Sequence, residues 1–404
     1  MRIALVHDYI KEYGGAERVL ETLHEIWPDA PVFTTVYLPN FLGPHKERFK
    51  NPPGIGEASW NIKTSLLQYL PFKEKLISPI RIIAPFVFKS FDFSSFDAVI
   101  VSATGAYSPN SIKIKRQKTK DQRPIHICYC HTPPRYLYGF ATAREWKNNL
   151  IFRALGELAN HFLRLVDYKS SQNVDYFIAN SKNVADRIKK FYQREATVIY
   201  PPVEITNSKL QIPNKSNPSA SLRARIPNTK YSIHNTEHFL AGGRIARPKN
   251  IDLIIKTFEK LKLPLKVFGK EFGGLKLSEL RIRNQESRIE FLGEVSDEEK
   301  VDLMRNAKAF IFASEDEDFG ITPVEAMSVG TPVIAYRSGG VVESVLDKKN
   351  GLFFDELSID SLSKAIKQFN SLTISPEDCV SQAQKFSKER FKREIKDFVE
   401  KVVK

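Results

Sequence analysis

The stretch KAFIFASEDEDFGITPVEAMSVGTPVIAYRS, residues 308–338, decides the architecture. Two short apolar runs, KAFIFAS (308–314) and PVIAYRS (332–338), flank an acidic loop and the start of a helix. Pro323 suits the first position of that helix, where a backbone N–H would have no partner anyway. Thr322 and Glu325 have the S/T-x-x-E spacing of a capping box, which predicts the same start. Strand, loop, helix and strand in this order make one βα unit of a parallel sheet.

The same unit recurs in both directions along the chain. Upstream lie IALVH (3–7), PVFTTVY (31–37), DAVIVSA (97–103), IHICYCH (125–131), YFIANS (176–181) and TVIYPP (197–202). Nearer the opening stretch are HFLAGG (238–243), LKVFGK (265–270) and IEFLGE (289–294). Amphipathic segments such as 250–262 and 297–306 alternate with these runs, as expected of strands buried on both faces of a sheet. A chain of 404 residues exceeds what one core usually covers. The reading is therefore α/β, with two Rossmann-like doubly wound parallel-sheet domains facing a central cleft. Residues 1–204 form the first, residues 205–386 the second, and a basic amphipathic helix over 387–404 ends the chain. The Pro/Ser/Asn-rich stretch 204–236 reads as the entry to the second domain plus a loop. Ligands of such sheets sit at the carboxyl ends of the strands, which makes the cleft the expected site.

Composition bounds the partners. A formal charge of +14 favours anionic ones: nucleic acid, anionic lipid or a phosphorylated substrate. Lysines spread along most helices, without a recognisable nucleic-acid module, argue against nucleic acid. No apolar run is long enough for a membrane span. The N-terminus reads as a first strand, and Cys128, Cys130 and Cys379 make no disulfide framework. A reducing cytoplasm is the expected compartment.

Two constellations carry chemistry. In GGRIARPKN (242–250) the glycines allow close backbone approach, and Asn250 suits an N-cap. Arg244 and Lys249 then lie at a strand end beside a helix start, where a diphosphate is well placed. In residues 314–327 the helix start offers N–H groups of Gly320, Ile321 and Thr322 to a phosphate. Glu317 and Glu325 would repel a diphosphate, so they suit sugar and ribose hydroxyls.

Glu317 and Glu325 reproduce the E-x7-E signature of family 4 glycosyltransferases, within an E-x-F-G-I-x-x-x-E-A-M context. FLGEVSDEE (291–299), EAMSVGTPVIAYRSGGVVESV (325–345) and NGLFF (350–354) fit that family too. VHDYIKEYGGAERV (6–19) and CYCHTPPRYLYGF (128–140) resemble its branch of bacterial mannosyltransferases of surface-polysaccharide assembly. The resemblance implies a GT-B fold in which the first domain binds the acceptor, the second binds the nucleotide-sugar, and the last helix crosses back to the first. It implies transfer that retains anomeric configuration, with GDP-mannose as donor or a UDP-hexose as alternative. The acceptor it implies is a saccharide, lipid-linked or free. It matches Arg244 and Lys249 to stabilisation of the departing diphosphate, Glu317 to the donor sugar and Glu325 to the ribose. Phe319, Gly320, Ile321 and Thr322 belong to the same donor site. Gly14 and Gly15 match a glycine loop approaching the diphosphate, and His131 a histidine facing the donor sugar.

Other readings weigh less. Asp316-Glu317-Asp318 spells D-x-D, a metal motif of a different fold; with Arg244 and Lys249 available, no metal or other cofactor is expected. Cys128, Cys130 and His131 lack a fourth zinc ligand at recognisable spacing. Residues 62–93 mix aromatics, apolar residues and lysines, which suits either a pair of packed helices or a surface helix docking on anionic lipid at the inner face of the cell membrane. A basic membrane- or nucleic-acid-binding protein on this scaffold, without catalysis, is the rival of another class; it would have no need of Glu317 or Lys249.

Overall fold

The computed structural model of the protein describes residues 1–49, 60–115, 123–142, 150–205, 238–273 and 288–403. Among these residues, thirteen strands form two wholly parallel sheets. The first contains β1 (Ile3–His7), β2 (Val32–Thr34), β3 (Ile62–Thr64), β4 (Ala98–Ala103), β5 (Ile125–Cys130), β6 (Tyr176–Ala179) and β7 (Ala196–Val198), in the order β3-β2-β1-β4-β5-β6-β7. The second contains β8 (Phe239–Gly242), β9 (Leu265–Phe268), β10 (Ile289–Gly293), β11 (Phe310–Phe312), β12 (Val333–Tyr336) and β13 (Gly351–Phe354), in the order β10-β9-β8-β11-β12-β13. Each order reverses once, between β1 and β4 and between β8 and β11. Those two reversals are the places where neighbouring loops diverge and leave a crevice.

Burial explains the unbroken apolar character of the central strands. β1 and β4 are buried along their whole length, since helices or loops cover both faces. The edge strand β3 is only half-buried and carries Lys63. Below the second sheet's faces lies one core built from β8, β11 and β12 with Phe258, Met327, Leu362 and Phe386. The first sheet has a core on each face. One of these is closed by the last helix, Lys388–Val402, through Phe391, Ile395 and Val399. Phe391 meets Tyr129 edge-on at 5.7 Å, and Lys388 and Lys392 pair with Glu25 at 2.7 and 2.9 Å. The chain's final helix thus sits on the first sheet, and it reaches there beside the outgoing chain: Val203 N donates to Phe386 O, and Lys388 N to Val203 O.

Three local expectations change. The expected helices over 62–93 are a strand followed by short pieces, Leu66–Tyr69, Ile77–Ile80 and Ala84–Phe88. Pro71, Pro79 and Pro85 explain this, because proline interrupts the backbone ladder a long helix needs. The helix expected to start at Pro323 spans Ile321–Ser328, capped by Gly320 at φ +91°. That left-handed backbone is open to glycine and strained for other residues, so the glycine starts the helix two residues before the proline. The Thr322–Glu325 capping box does not form, and the Glu325 side chain turns elsewhere. Asn250 does hold the N-cap position of Ile251–Leu261, but its side chain donates to Ala313 O at 2.9 Å instead of capping. Residues 206–236 of the stretch between the sheets lie outside the described residues.

Candidate active site

The two switch points face each other, and each contributes loops. From the first sheet come the turn after β1, carrying Gly14 and Gly15, and His131 just after β5. From the second come the turn after β8, carrying Gly243 and Arg244, and the loop after β11, carrying Glu317. They meet closely. A Cβ on Gly15 would lie 2.8 Å from Ile321 Cδ1, and one on Gly14 would lie 3.3 Å from an Arg244 guanidinium nitrogen. A Cβ on Gly243 would come 3.7 Å from Thr322 Oγ1. Gly14, Gly15, Arg244 and the first turn of Ile321–Ser328 therefore meet where the loops of the two sheets come together, and the first N–H groups and the positive dipole end of a helix lie at such a turn.

The charged residues are held in pairs. Lys249 Nζ lies 2.5 Å from Glu317 Oε2, and Ser314 Oγ donates to the same oxygen at 2.7 Å. Burial alone would push the Glu317 carboxyl up, but Lys249, Ser314 and Arg135 together hold it down at about 2. Arg244 reaches Glu12 at 3.3 Å and lies over the Phe272 ring; nearly half of its side chain stays exposed.

Glu325 accepts from Arg18 at 2.6 Å and from Lys300 at 3.0 Å. Burial raises its carboxyl, and these two cations more than offset it, leaving it below the ordinary value. Phe319 packs its ring between Tyr200 and Phe386 and is 2% exposed. What Phe319 and Gly320 offer the cleft is main chain. His131 is buried, its imidazole held neutral by burial and by His7, down at about 3.

Several groups that tie the halves together carry no local sequence signal. Asp318 accepts from Arg135 at 2.9 Å and Arg187 at 2.7 Å, and both arginines also donate to Asp316 O. Ser181 Oγ donates to Asp318 O, and Asn183 Nδ2 to Glu317 O. The first sheet's loops thereby hold the loop bearing Glu317, whose Asp316 is in the left-handed region at φ +51°. Arg48 and Arg18 make a second bridge to Asp297, at 3.3 and 3.4 Å. Arg135 and Arg18 lie inside the CYCHTPPRYLYGF and VHDYIKEYGGAERV stretches, but only the fold reveals their partners. The three D-x-D residues engage Lys249, Arg135 and Arg187. Among the described residues no group of three His, Cys, Asp or Glu side chains is placed to hold a metal ion. Cys128 and Cys130 are buried thiols in β5.

Residues 13–207 match the family model "Glycosyltransferase Family 4", and residues 226–386 match "Glycosyl transferases group 1". The chain belongs to the family 4 glycosyltransferases. This family 4 chain is 26% identical over 336 residues to an alpha-1,3/1,6-mannosyltransferase of Mus musculus, covering 76% of the chain and 74% of that protein. Its fold is the GT-B fold of sucrose-phosphate synthase from Thermosynechococcus elongatus, with a TM-score of 0.67, 16% identity and coverage of 100% and 99% of the two chains. Anabaena HepE, solved in complex with UDP-glucose, matches with a TM-score of 0.63 and 17% identity over 99% of this chain and 100% of that one.

Proposed function

We propose that this glycosyltransferase moves a hexose from a nucleotide diphosphate to a saccharide or lipid-linked saccharide acceptor, retaining the anomeric configuration and using no metal. The observation that carries the reading is the meeting of Gly14 and Gly15 of the first sheet's loop with Arg244 and the Ile321–Ser328 N-terminus of the second's. Where they meet, a diphosphate would find two main-chain loops, a helix dipole and the Arg244 guanidinium, with Lys249 paired to Glu317. As the bond between the sugar's C1 and the diphosphate oxygen breaks, negative charge grows on the phosphate. Preorganised cations and N–H groups are the most effective means of stabilising such charge. Glu317 then serves a sugar hydroxyl and Glu325 the ribose, with Arg18 and Lys300 keeping Glu325 ionised.

The carboxylates of the site are committed: Glu317 to Lys249, Glu325 to Arg18 and Lys300, and Asp318 to two arginines. A protein nucleophile is therefore not part of this reading. The acceptor oxygen forms its bond to C1 on the face the diphosphate leaves, and the acceptor's proton passes to the departing phosphate oxygen. Trapping a covalent glycosyl-enzyme would overturn this step. Full turnover in EDTA is the expected result, and its loss would overturn the metal-free reading.

The relative named as a mannosyltransferase supports mannose as the sugar moved, with GDP-mannose as the first donor reading; the UDP-glucose complex of the HepE fold neighbour supports a UDP-hexose as the second reading. Calorimetric titration with GDP, UDP and ADP separates them, and a coupled transfer assay tests catalysis itself. Arg244→Ala should lower turnover by about 2 kcal/mol or more of transition-state stabilisation; near-native rates would mean the phosphate site is elsewhere.

A cytoplasmic location with docking at the inner membrane face belongs to the same proposal. Leu66, Tyr69, Phe72 and Phe86 are more than half exposed beside the exposed Lys75 and Lys89, a composition suited to an anionic lipid surface. Among the described residues no helix is long and apolar enough to cross a membrane. Sedimentation with anionic vesicles at low but not high salt is the expected outcome, and no binding at either would remove the membrane from the proposal.

A further inference from the structure

Three neighbouring strands end at the first switch point in a buried row of polar side chains. His7 closes β1 and lies opposite Ser102 of β4 in register, and His131 follows β5, the next strand. His7 Nδ1 lies 3.1 Å from Ser102 Oγ, and Ser102 Oγ lies 2.9 Å from His131 Nε2. At the far end, His7 Nε2 is buried with no hydrogen-bond partner, and Glu17 Oε1 lies 3.7 Å from it. Glu17 in turn accepts from Gly14 N at 2.9 Å. The row therefore runs from the glycine loop to the histidine of the cleft without a break in polar neighbours.

One serine proton between two imidazoles makes this row directional. Taking one proton on each ring, if Ser102 donates to His131 Nε2, His7 must donate through Nδ1, and a bare Nε2 lone pair is then buried facing a carboxylate. If Ser102 donates to His7 Nδ1, His7 carries its proton on Nε2 and presents it to Glu17, an attraction at 3.7 Å even though the distance is long for a hydrogen bond. Ser102 Oγ then accepts from His131 Nε2–H. The second arrangement leaves no like-signed pair in the interior, where such a pair is costly. It also fixes the other nitrogen of His131, Nδ1, as a bare acceptor, because a neutral imidazole has only one N–H. A neutral ring is what the burial of His131 favours.

We infer that His7 and Ser102 are positioning residues that lock His131 in the Nε2–H tautomer, so that its Nδ1 accepts a hydrogen bond from a hydroxyl of the donor sugar. This rests on the proposed donor site only for its last clause; the tautomer stands on the row alone. The same row couples the lock to the glycine loop through Glu17. A sugar bearing that hydroxyl is recognised, and one lacking it leaves Nδ1 unpaired.

Two measurements test it. Long-range nitrogen–proton correlation spectra of the histidine-labelled protein should show His131 as a single Nε2–H tautomer, assigned by its disappearance in His131→Gln. Ser102→Ala should give a mixture of tautomers, Ser102→Thr should return the single form, and His7→Leu should repeat the Ser102→Ala result by a separate route. A single Nδ1–H tautomer in the native protein, or an unchanged signal in both Ser102→Ala and His7→Leu, overturns the inference.

In the transfer assay, Ser102→Ala should lower kcat/KM about fivefold to tenfold, as for loss of one hydrogen bond, while nucleoside diphosphate binding by calorimetry stays unchanged. Deoxy-sugar donors should lose activity with the native enzyme and lose no more with Ser102→Ala. A locked tautomer in a protein without transferase activity would refute the donor site and leave the lock intact. Transfer that discriminates deoxy donors equally in both proteins would refute the role given to Nδ1.

Discussion

Replacing Lys249 by methionine isolates the pair at the centre of the site. The substitution keeps the length of the side chain and removes its charge, leaving Glu317 with Ser314 and the field of Arg135. Holding a carboxyl at about 2 against an ordinary 4.5 corresponds to about 3 kcal/mol, at about 1.4 kcal/mol per pH unit. Lys249 is the largest favourable contributor, so most of that is lost, and burial then opposes the ionised carboxyl with only Ser314 and Arg135 against it. Glu317 is about one-fifth exposed, which moderates the cost of stranding it to about 2–3 kcal/mol at pH 7.

The sign follows from linkage. A folded carboxyl held below its unfolded value stabilises above pH 4.5, and that contribution disappears as pH falls from 4.5 towards 2. Lys249→Met should therefore melt about 5–10 °C lower at pH 7, and the gap to the native protein should close as pH falls through that window. Differential scanning calorimetry at several pH values reads both effects, and the transfer assay should show a fall of about 100-fold or more. An unchanged melting temperature at pH 7, or a gap that stays constant with acid, would refute the claim that this pair governs Glu317.

Three further outcomes are expected. Gly339 lies at φ +69° with its α-carbon against the backbone of Glu317, so Gly339→Ala should displace the acidic loop and lower kcat/KM about tenfold or more, read by steady-state assay, with the second sheet still folded by circular dichroism. His24 is stacked on Trp60 at 4.0 Å with both ring nitrogens unpaired and is held down at about 4; its stabilising contribution is present above pH 6.5 and lost as pH falls towards 4, so His24→Phe should lessen by about 2 kcal/mol the loss of stability between pH 7 and 5 seen in denaturant unfolding. Asp318→Asn should weaken the grip of Arg135 and Arg187 on the Glu317 loop, separating the melting of the two halves in calorimetry and lowering kcat more than nucleotide affinity.

The βα rhythm was legible because central parallel strands must be apolar on both faces, and β1, β4, β5, β8, β11 and β12 are all announced by short apolar runs. β3 was missed for the opposite reason: Ile62–Thr64 lies at an edge, half-buried, and needs no continuous apolar signature. In the site, residue types were legible and partners were not. GGRIARPKN and the E-x7-E frame identify Arg244, Lys249, Glu317 and Glu325 by local spacing. The apparent capping box at Thr322 and Glu325 misled because the strongest partner of Glu325, Arg18, lies 307 residues away in the chain. Arg135, Arg187 and Ser102 likewise gain meaning only when strands distant in sequence become neighbours.

The chain passes between the two sheets twice, and the passages at Val203 and Ser387 are hydrogen-bonded to each other. Two parallel tethers bound side by side have the form of a book's spine, about which covers would swing and not slide. An opening motion about such a spine would part Gly14 from Arg244 and Arg18 from Glu325 together, then return each to its own counterpart. Substrate could enter and product leave without the enzyme ever having to search again for the alignment of its two halves.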